Sequence, residues 1–246
     1  MSLLQLDGVT KRFGGLLAVD HVSLEIGSGE AVSIVGPNGS GKTTLFNLIS
    51  GIYTPDEGTL IFDGQDITRL QPYQRAHLGI GRTFQIPRPF GTLTVRENVA
   101  IGAMFGSHGT QRGVDDALKA ADERLKLVGF YDQRSRPARE LTPVELKMME
   151  IARALAMNPK LLLLDESMAG MPPKDIDALV EFLKSIKQKE GVATIAMVEH
   201  IMRAVVKFAE RVIVLYQGKK MLEAPTAEAL SDPRVVDVYL GRESEQ

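Results

Sequence analysis

The sequence predicts an α/β fold: a mostly parallel sheet covered by helices on both faces, with a helical segment inserted into it. Three observations predict it. Strand-like and helix-like stretches alternate in the first and last parts of the chain. A short apolar run at residues 31–35 leads straight into the glycine-rich stretch Gly36-Pro37-Asn38-Gly39-Ser40-Gly41-Lys42-Thr43-Thr44. Between about residues 97 and 157 the pattern is mostly helical instead.

The elements follow in order. Residues 3–9 and 22–26 read as strands, the second alternating apolar and polar as a half-buried strand does. Gly27-Ser28-Gly29-Glu30 is a turn, and residues 31–35 form a short buried strand. Residues 43–50 read as a helix with Leu45, Leu48 and Ile49 on one face. Residues 59–62 are a strand closed by an Asp63-Gly64 turn, and residues 80–84 another strand. The helices of the middle are 114–128 and 144–157, with polar or Gly-rich loops such as 106–113 between elements. Strands then return at 161–164, 194–198, 211–215 and 219–222, alternating with helices at 174–189 and 201–208. The tail, 226–246, is helical at first and polar at its end. The expected organisation is one domain: a core of about 1–85 and 159–225, an insertion of about 86–158 and a short C-terminal extension, 226–246.

Composition narrows the function. A chain of 246 residues that is 44% hydrophobic buries a real core. A net charge of −2 argues against nucleic-acid binding by blanket electrostatics. The absence of cysteine excludes disulfides and thiolate metal sites. The N-terminus lacks the basic start and apolar stretch of a signal peptide. Apolar runs such as 192–198 fall far short of the roughly 18 residues that span a bilayer. The chain is therefore expected to be soluble, with any membrane role acting through a partner.

Gly36 to Thr43 fits G-x-x-x-x-G-K-[ST]. Glycine-rich backbone curls so that its N–H groups converge on phosphate oxygens, and the following helix adds its positive end. Lys42 supplies a point charge, and the Thr43 hydroxyl suits Mg²⁺. This points to Mg-ATP as the bound cofactor. The run Leu161-Leu162-Leu163-Leu164-Asp165-Glu166 reads as a buried strand ending in two acids, at the carboxyl edge where ligands sit in parallel sheets. There Asp165 can hold Mg²⁺ through water, and Glu166 can polarise an attacking water. Glu199-His200 follows the strand at 194–198 in the same way. His200 is a candidate γ-phosphate donor or an ordinary structural histidine. Gln85, at the end of the strand 80–84, is a candidate ligand or an ordinary loop residue. Phe13, in Lys11-Arg12-Phe13-Gly14-Gly15, is an adenine-stacking aromatic or a turn aromatic.

Taken together in chain order, Phe13, the loop Gly36 to Thr44, Gln85, a helical insertion, Leu141-Thr142-Pro143-Val144-Glu145, Asp165-Glu166 and His200 resemble the nucleotide-binding subunit of an ABC transporter. The likeness runs from residue 3 to about 241. Within that superfamily the chain is most similar to ATP-binding subunits of branched-chain amino-acid importers. The residues behind this are Arg12-Phe13-Gly14-Gly15-Leu16-Leu17-Ala18-Val19, Gly81-Arg82-Thr83-Phe84-Gln85, Asp165-Glu166-Ser167-Met168-Ala169-Gly170-Met171 and the tail Asp232-Pro233-Arg234-Val235-Val236-Asp237-Val238-Tyr239-Leu240-Gly241. The resemblance implies a P-loop NTPase core of the ABC type with an antiparallel β subdomain and an inserted helical subdomain.

It also implies roles. Phe13 stacks on adenine. Lys42 and the loop amides hold the phosphates. Thr43 and Gln85 serve Mg²⁺ and the water, Asp165 orients the metal shell, Glu166 is the general base and His200 senses the γ-phosphate. Thr142 and Glu145 belong to the signature segment, which contacts the nucleotide across a dimer. The implied partners are a second ATP-binding subunit, identical or different, two integral permease subunits at the cytoplasmic face of the cell membrane and, indirectly, an extracytoplasmic solute-binding protein. Nucleic acid is not expected.

Two departures stand out. The family's signature is usually Leu-Ser-Gly-Gly-Gln, and here both glycines are replaced, by Pro143 and Val144. Ser167 stands where a proline is common. The signature departure keeps open an alternative: a regulatory ATP-binding subunit with little intrinsic turnover. Thr142-Pro143-Val144-Glu145 also has the form of a capping box, with Thr142 as N-cap and Pro143 at the first helical position.

Overall fold

Residues 2–27 fold back on themselves as a hairpin. In the computed structural model, which describes residues 2–106, 113–189 and 194–240 (side chains of 188, 189 and 240 excepted), β1 spans Ser2–Phe13 and β2 spans Leu16–Gly27. Leu4, Leu6 and Val9 sit opposite Ile26, Leu24 and Val22, and all six are buried. Alternating with the last three, His21, Ser23 and Glu25 are exposed, the period-2 pattern of a one-sided strand.

Both strands run further toward the hairpin tip than the apolar alternation suggests. Thr10 is fully buried. Lys11 Nζ donates to Asp56 Oδ1 at 2.8 Å, and Arg12 Nη1 to Glu57 Oε1 at 2.8 Å. Partners elsewhere in the chain hold a polar stretch extended. β4 (Glu57–Phe62) pairs with β1, and the Asp63-Gly64 turn leads to the two-residue β5 (Gln65–Asp66), giving an antiparallel sheet of order β2-β1-β4-β5.

The chain divides into two compact units, residues 1–71 with 194–246, and residues 72–193. The expected insertion at 86–158 lies within the second. Besides the antiparallel sheet, the first unit holds β3 (Ala31–Val35) between two parallel neighbours, β8 (Thr194–Val198) and β9 (Arg211–Tyr216). All five residues of β3 and of β8 are buried, as a parallel strand covered on both faces requires. β10 (Lys219–Pro225) returns antiparallel to β9. The helices of this unit are α1 (Lys42–Ile49), α7 (Met202–Phe208), α8 (Thr226–Ser231) and α9 (Pro233–Leu240). Leu45, Leu48 and Ile49 of α1 are fully buried. The tail is thus helical through residue 240. Asp232 restarts the helix, its Oδ1 accepting from Arg234 N at 2.9 Å before Pro233 opens α9. The polar end beyond 240 lies outside the described residues.

In the second unit β6 (Ile80–Arg82) pairs parallel with β7 (Leu161–Asp165). Its helices are α2 (Pro72–Leu78), α3 (Val95–Phe105), α4 (Val114–Leu127), α5 (Pro143–Ala156) and α6 (Pro173–Lys189). β6 stops two residues short of the expected Phe84, because Phe84 N turns to the carboxylate of Glu150 at 3.1 Å. α3 begins on a capping box, with Thr94 Oγ1 accepting from Glu97 N and Glu97 accepting from Thr94 N. Of the Gly-rich loop read at 106–113, residues 107–112 lie outside the described residues, as do 192 and 193 of the apolar run at 192–198. Among the described residues no helix is long and apolar enough to cross a membrane.

Candidate functional site

The phosphate loop forms where β3 ends. Gly36 takes φ +151°, and a Cβ there would lie 2.1 Å from the Leu215 carbonyl oxygen. Gly41 takes φ +103° at the head of α1, where a Cβ would meet the Ala18 carbonyl oxygen at 2.4 Å. Neither position admits a side chain. Ser40 N donates to Pro37 O at 3.2 Å, and the first helical amide to reach back is Leu45 N, to Gly41 O at 2.8 Å. The amides of the first turn of α1 lie at the positive end of the helix, beside the loop. Lys42 is only 5% exposed, and its Nζ donates to Gly36 O and Pro37 O, both at 2.8 Å. A glycine cradle, the positive end of a helix and one ammonium fit a polyphosphate.

Register brings His200 to the same edge. β3 and β8 are parallel with Ile34 opposite Val198, so Gly36 and His200 each lie two residues past that pair. His200 is half-buried there. Phe13 ends β1 at the hairpin tip and is 41% exposed, touching Tyr53 edge-on with ring centres 5.1 Å apart. The returning strand β2 brings the Ala18 carbonyl against Gly41, so the hairpin carrying Phe13 passes beside the loop.

The second unit gathers the acids. Asp165 ends β7 and is 1% exposed, and Arg82 Nη2 donates to its Oδ2 at 2.8 Å. Burial lowers the Arg82 pKa, opposed by its bond to Asp165. Glu166 follows in the left-handed region, φ +46°, and Gln85 Nε2 donates to Glu166 Oε2 at 2.7 Å. The two sequence candidates Gln85 and Glu166 are therefore in direct contact. Thr83 Oγ1 accepts from Asp165 N at 3.2 Å and bonds Ser167 Oγ at 2.8 Å, tying the two loops at their roots.

Helix α5 fixes both loops from one side. Its N-terminus is the capping box read from the sequence: Thr142 N donates to Glu145 Oε2 at 2.8 Å, and Glu145 N to Thr142 Oγ1 at 3.3 Å. Arg136 Nη1 adds a bond to Glu145 Oε1 at 2.8 Å. The Thr142 amide and the Arg136 guanidinium hold the Glu145 carboxyl below its usual pKa. One turn on, buried Lys147 donates to the carbonyls of Glu166 at 3.1 Å and Ala169 at 2.6 Å. Glu150, also buried, accepts from Phe84 N and from Arg88 N, bracketing Gln85. Burial pushes its pKa up.

Arg82, Lys147 and Glu150 were not picked out as site residues from sequence. A signal was present in each: an arginine within the strand-like stretch 80–84, and Lys147 and Glu150 set among the apolar residues of the helix read at 144–157. Among the described residues no cluster of three or more His, Asp or Glu is poised to hold a metal. A Mg²⁺ that arrives with a nucleotide needs only phosphate oxygens, waters and one or two protein oxygens. Thr43 and Asp165 are of that kind.

Residues 19–169 match the ABC transporter family model. The high-affinity branched-chain amino acid transport ATP-binding protein LivG of Escherichia coli K12 is 34% identical over 250 residues, covering 97% of this chain and 98% of LivG. Among solved structures, the ATP-binding cassette MJ1267 in its ADP conformation superposes with a TM-score of 0.87 at 33% identity, covering 98% of this chain and 99% of that one. The ATP-binding cassette MJ0796, solved as a dimer in a post-hydrolysis state with ADP and Pi, gives 0.82 at 30% identity over 91% and 98% of the two chains. The chain belongs to the ABC transporter family, as one of its ATP-binding cassettes with the ATPase fold.

Proposed function

We propose that this chain hydrolyses Mg-ATP to energise an ABC importer for branched-chain or related amino acids. The phosphate loop carries the reading: Gly36 and Gly41 admit no Cβ, and Lys42 and the first amides of α1 are gathered at one strand end. Lys42 and the loop amides of Gly36 to Thr44 bind the phosphates, and Phe13 stacks on adenine. Mg²⁺, when bound, would neutralise charge at the phosphates; Thr43 and Gln85 would hold it, and Asp165 would hold it through water. Glu166 takes a proton from the attacking water, oriented by the Gln85 amide, and His200 faces the γ-phosphate. In a dimer of two such subunits, Thr142 and Glu145 of one face the nucleotide of the other. Two integral permease subunits hold the pair at the cytoplasmic face of the membrane, and an extracytoplasmic binding protein delivers solute.

The substrate class rests on the likeness to LivG, so the test is assembly. When this chain is tagged and purified from membranes, two integral permease subunits should come with it. The complex in liposomes should hydrolyse ATP faster when a branched-chain amino acid and its binding protein are supplied. A chain that stays in the cytosol while candidate permeases are co-expressed would contradict the importer reading.

One observation favours a second reading, a regulatory subunit of low turnover. At the signature, Pro143 removes an amide that glycine offers, and Val144 narrows the approach. The Glu145 carboxylate is occupied by Thr142 N and Arg136, which limits its repulsion of phosphate. The helix end still favours an anion by about 0.3–1 kcal/mol. The isolated chain should therefore turn over slowly, and Pro143→Gly/Val144→Gly should raise its rate several-fold. An unchanged rate would remove the signature as the limiting feature.

A further inference from the structure

The C-terminal helix reaches the phosphate loop. On α9, Val235 is 2% exposed and packs in a cluster with Val35, Val212 and Val214, the residues that bring β3 and β9 to the loop. Tyr239 lies four residues further, on the same face of the helix. Its hydroxyl accepts a hydrogen bond from Gly36 N at 2.8 Å. Tyr239 as a whole is 38% exposed. Desolvation raises the Tyr239 pKa above the ordinary tyrosine value, opposed by the bond from Gly36 N.

Gly36 is the residue at which the chain must turn from strand into loop, at a φ only glycine adopts readily. The peptide planes on its two sides are held by different groups. The N–H of the plane before it goes to Tyr239 Oη, and the carbonyl of the plane after it accepts from Lys42 Nζ. Together these two bonds fix both backbone angles of a residue that has no side chain to restrict them. Without the first, the leading plane is free to rock, and the loop must be ordered when the phosphates arrive.

We infer that Tyr239 is a positioning residue for the phosphate loop: by holding the Gly36 amide, helix α9 pre-forms the nucleotide site. This rests on the reading of Gly36–Thr44 as that site. Tyr239 touches no nucleotide in this proposal; it acts through Gly36.

The test is Tyr239→Phe in the full chain, which deletes the hydroxyl and leaves the ring and Val235 packed. MgADP and MgATP affinities, by calorimetric titration, should weaken about three- to tenfold, the worth of one hydrogen bond. The ATP KM should rise by the same factor, with the effect in KM rather than kcat. Hydrogen exchange at the Gly36 amide should speed up in the nucleotide-free protein, and its melting temperature should move little. A purely structural role would lower the melting temperature and leave affinity and KM in place; that result, or affinities within twofold of the parent and unchanged Gly36 exchange, would overturn the inference. Lys42→Ala runs alongside. If Lys42→Ala also binds normally, the phosphate-loop reading itself fails; if only Tyr239→Phe binds normally, the loop stands and the role of α9 falls.

Discussion

Replacing Glu166 by glutamine should leave nucleotide binding intact and lower ATP turnover by a factor on the order of 10²–10⁴, the usual cost of losing a general base. At about 1.36 kcal/mol per decade this raises the barrier by roughly 3–5 kcal/mol. The substitution is close to isosteric. The side-chain carbonyl oxygen of glutamine still accepts from Gln85 Nε2, which now bonds Glu166 Oε2 at 2.7 Å. The left-handed backbone at φ +46° is no worse for glutamine than for glutamate. The α5 tether, Lys147 to the Glu166 carbonyl, involves only the main chain. What changes is the ability to take a proton. Bound ATP should then persist and hold two subunits together, visible as a dimer on size-exclusion chromatography in MgATP. Turnover near the parent rate would remove Glu166 from the role of base.

Lys42→Ala should weaken ATP binding by about 10- to 100-fold, on the order of the 1.5–3 kcal/mol that a hydrogen bond to a charged group contributes. Lys42 is the one charged residue between Gly36 and Thr44. Its ammonium also staples the carbonyls of Gly36 and Pro37 at 2.8 Å each, so the substitution removes a phosphate partner and a brace of the turn together. Titration with a fluorescent ATP analogue reads the affinity, and circular dichroism checks that the fold persists. Tight binding retained in a folded variant would count against the phosphate-loop reading itself.

Much of the fold was legible because its causes are local. The continuous apolar runs of β3, β7 and β8 announce strands buried on both faces. The Thr142 capping box was readable from four residues and is present, and the same pattern at Thr94 would have placed the start of α3. Other boundaries were misread where the cause is remote. β1 and β2 continue through a polar tip because Asp56 and Glu57 hold Lys11 and Arg12. β6 ends early because Glu150, 66 residues away, takes the amide of Phe84. Helix α2, Pro72–Leu78, was not read from the sequence, and the tail was read as helical at first without the break at Asp232 that separates α8 from α9.

The sequence by itself determined the phosphate loop and the order of the candidate site residues. Each glycine, Lys42 and Thr43 does its work within a few residues of its neighbours, so spacing carries the chemistry. Only the tertiary structure decided what holds those residues in place. Arg82 reaches Asp165 across 83 positions, Lys147 reaches the Glu166 carbonyl across 19, and Tyr239 reaches Gly36 across 203. Such bonds join side chains and backbone groups that come together only when strands pair and helices pack. No spacing rule encodes them, because their geometry belongs to the packed chain rather than to any stretch of it.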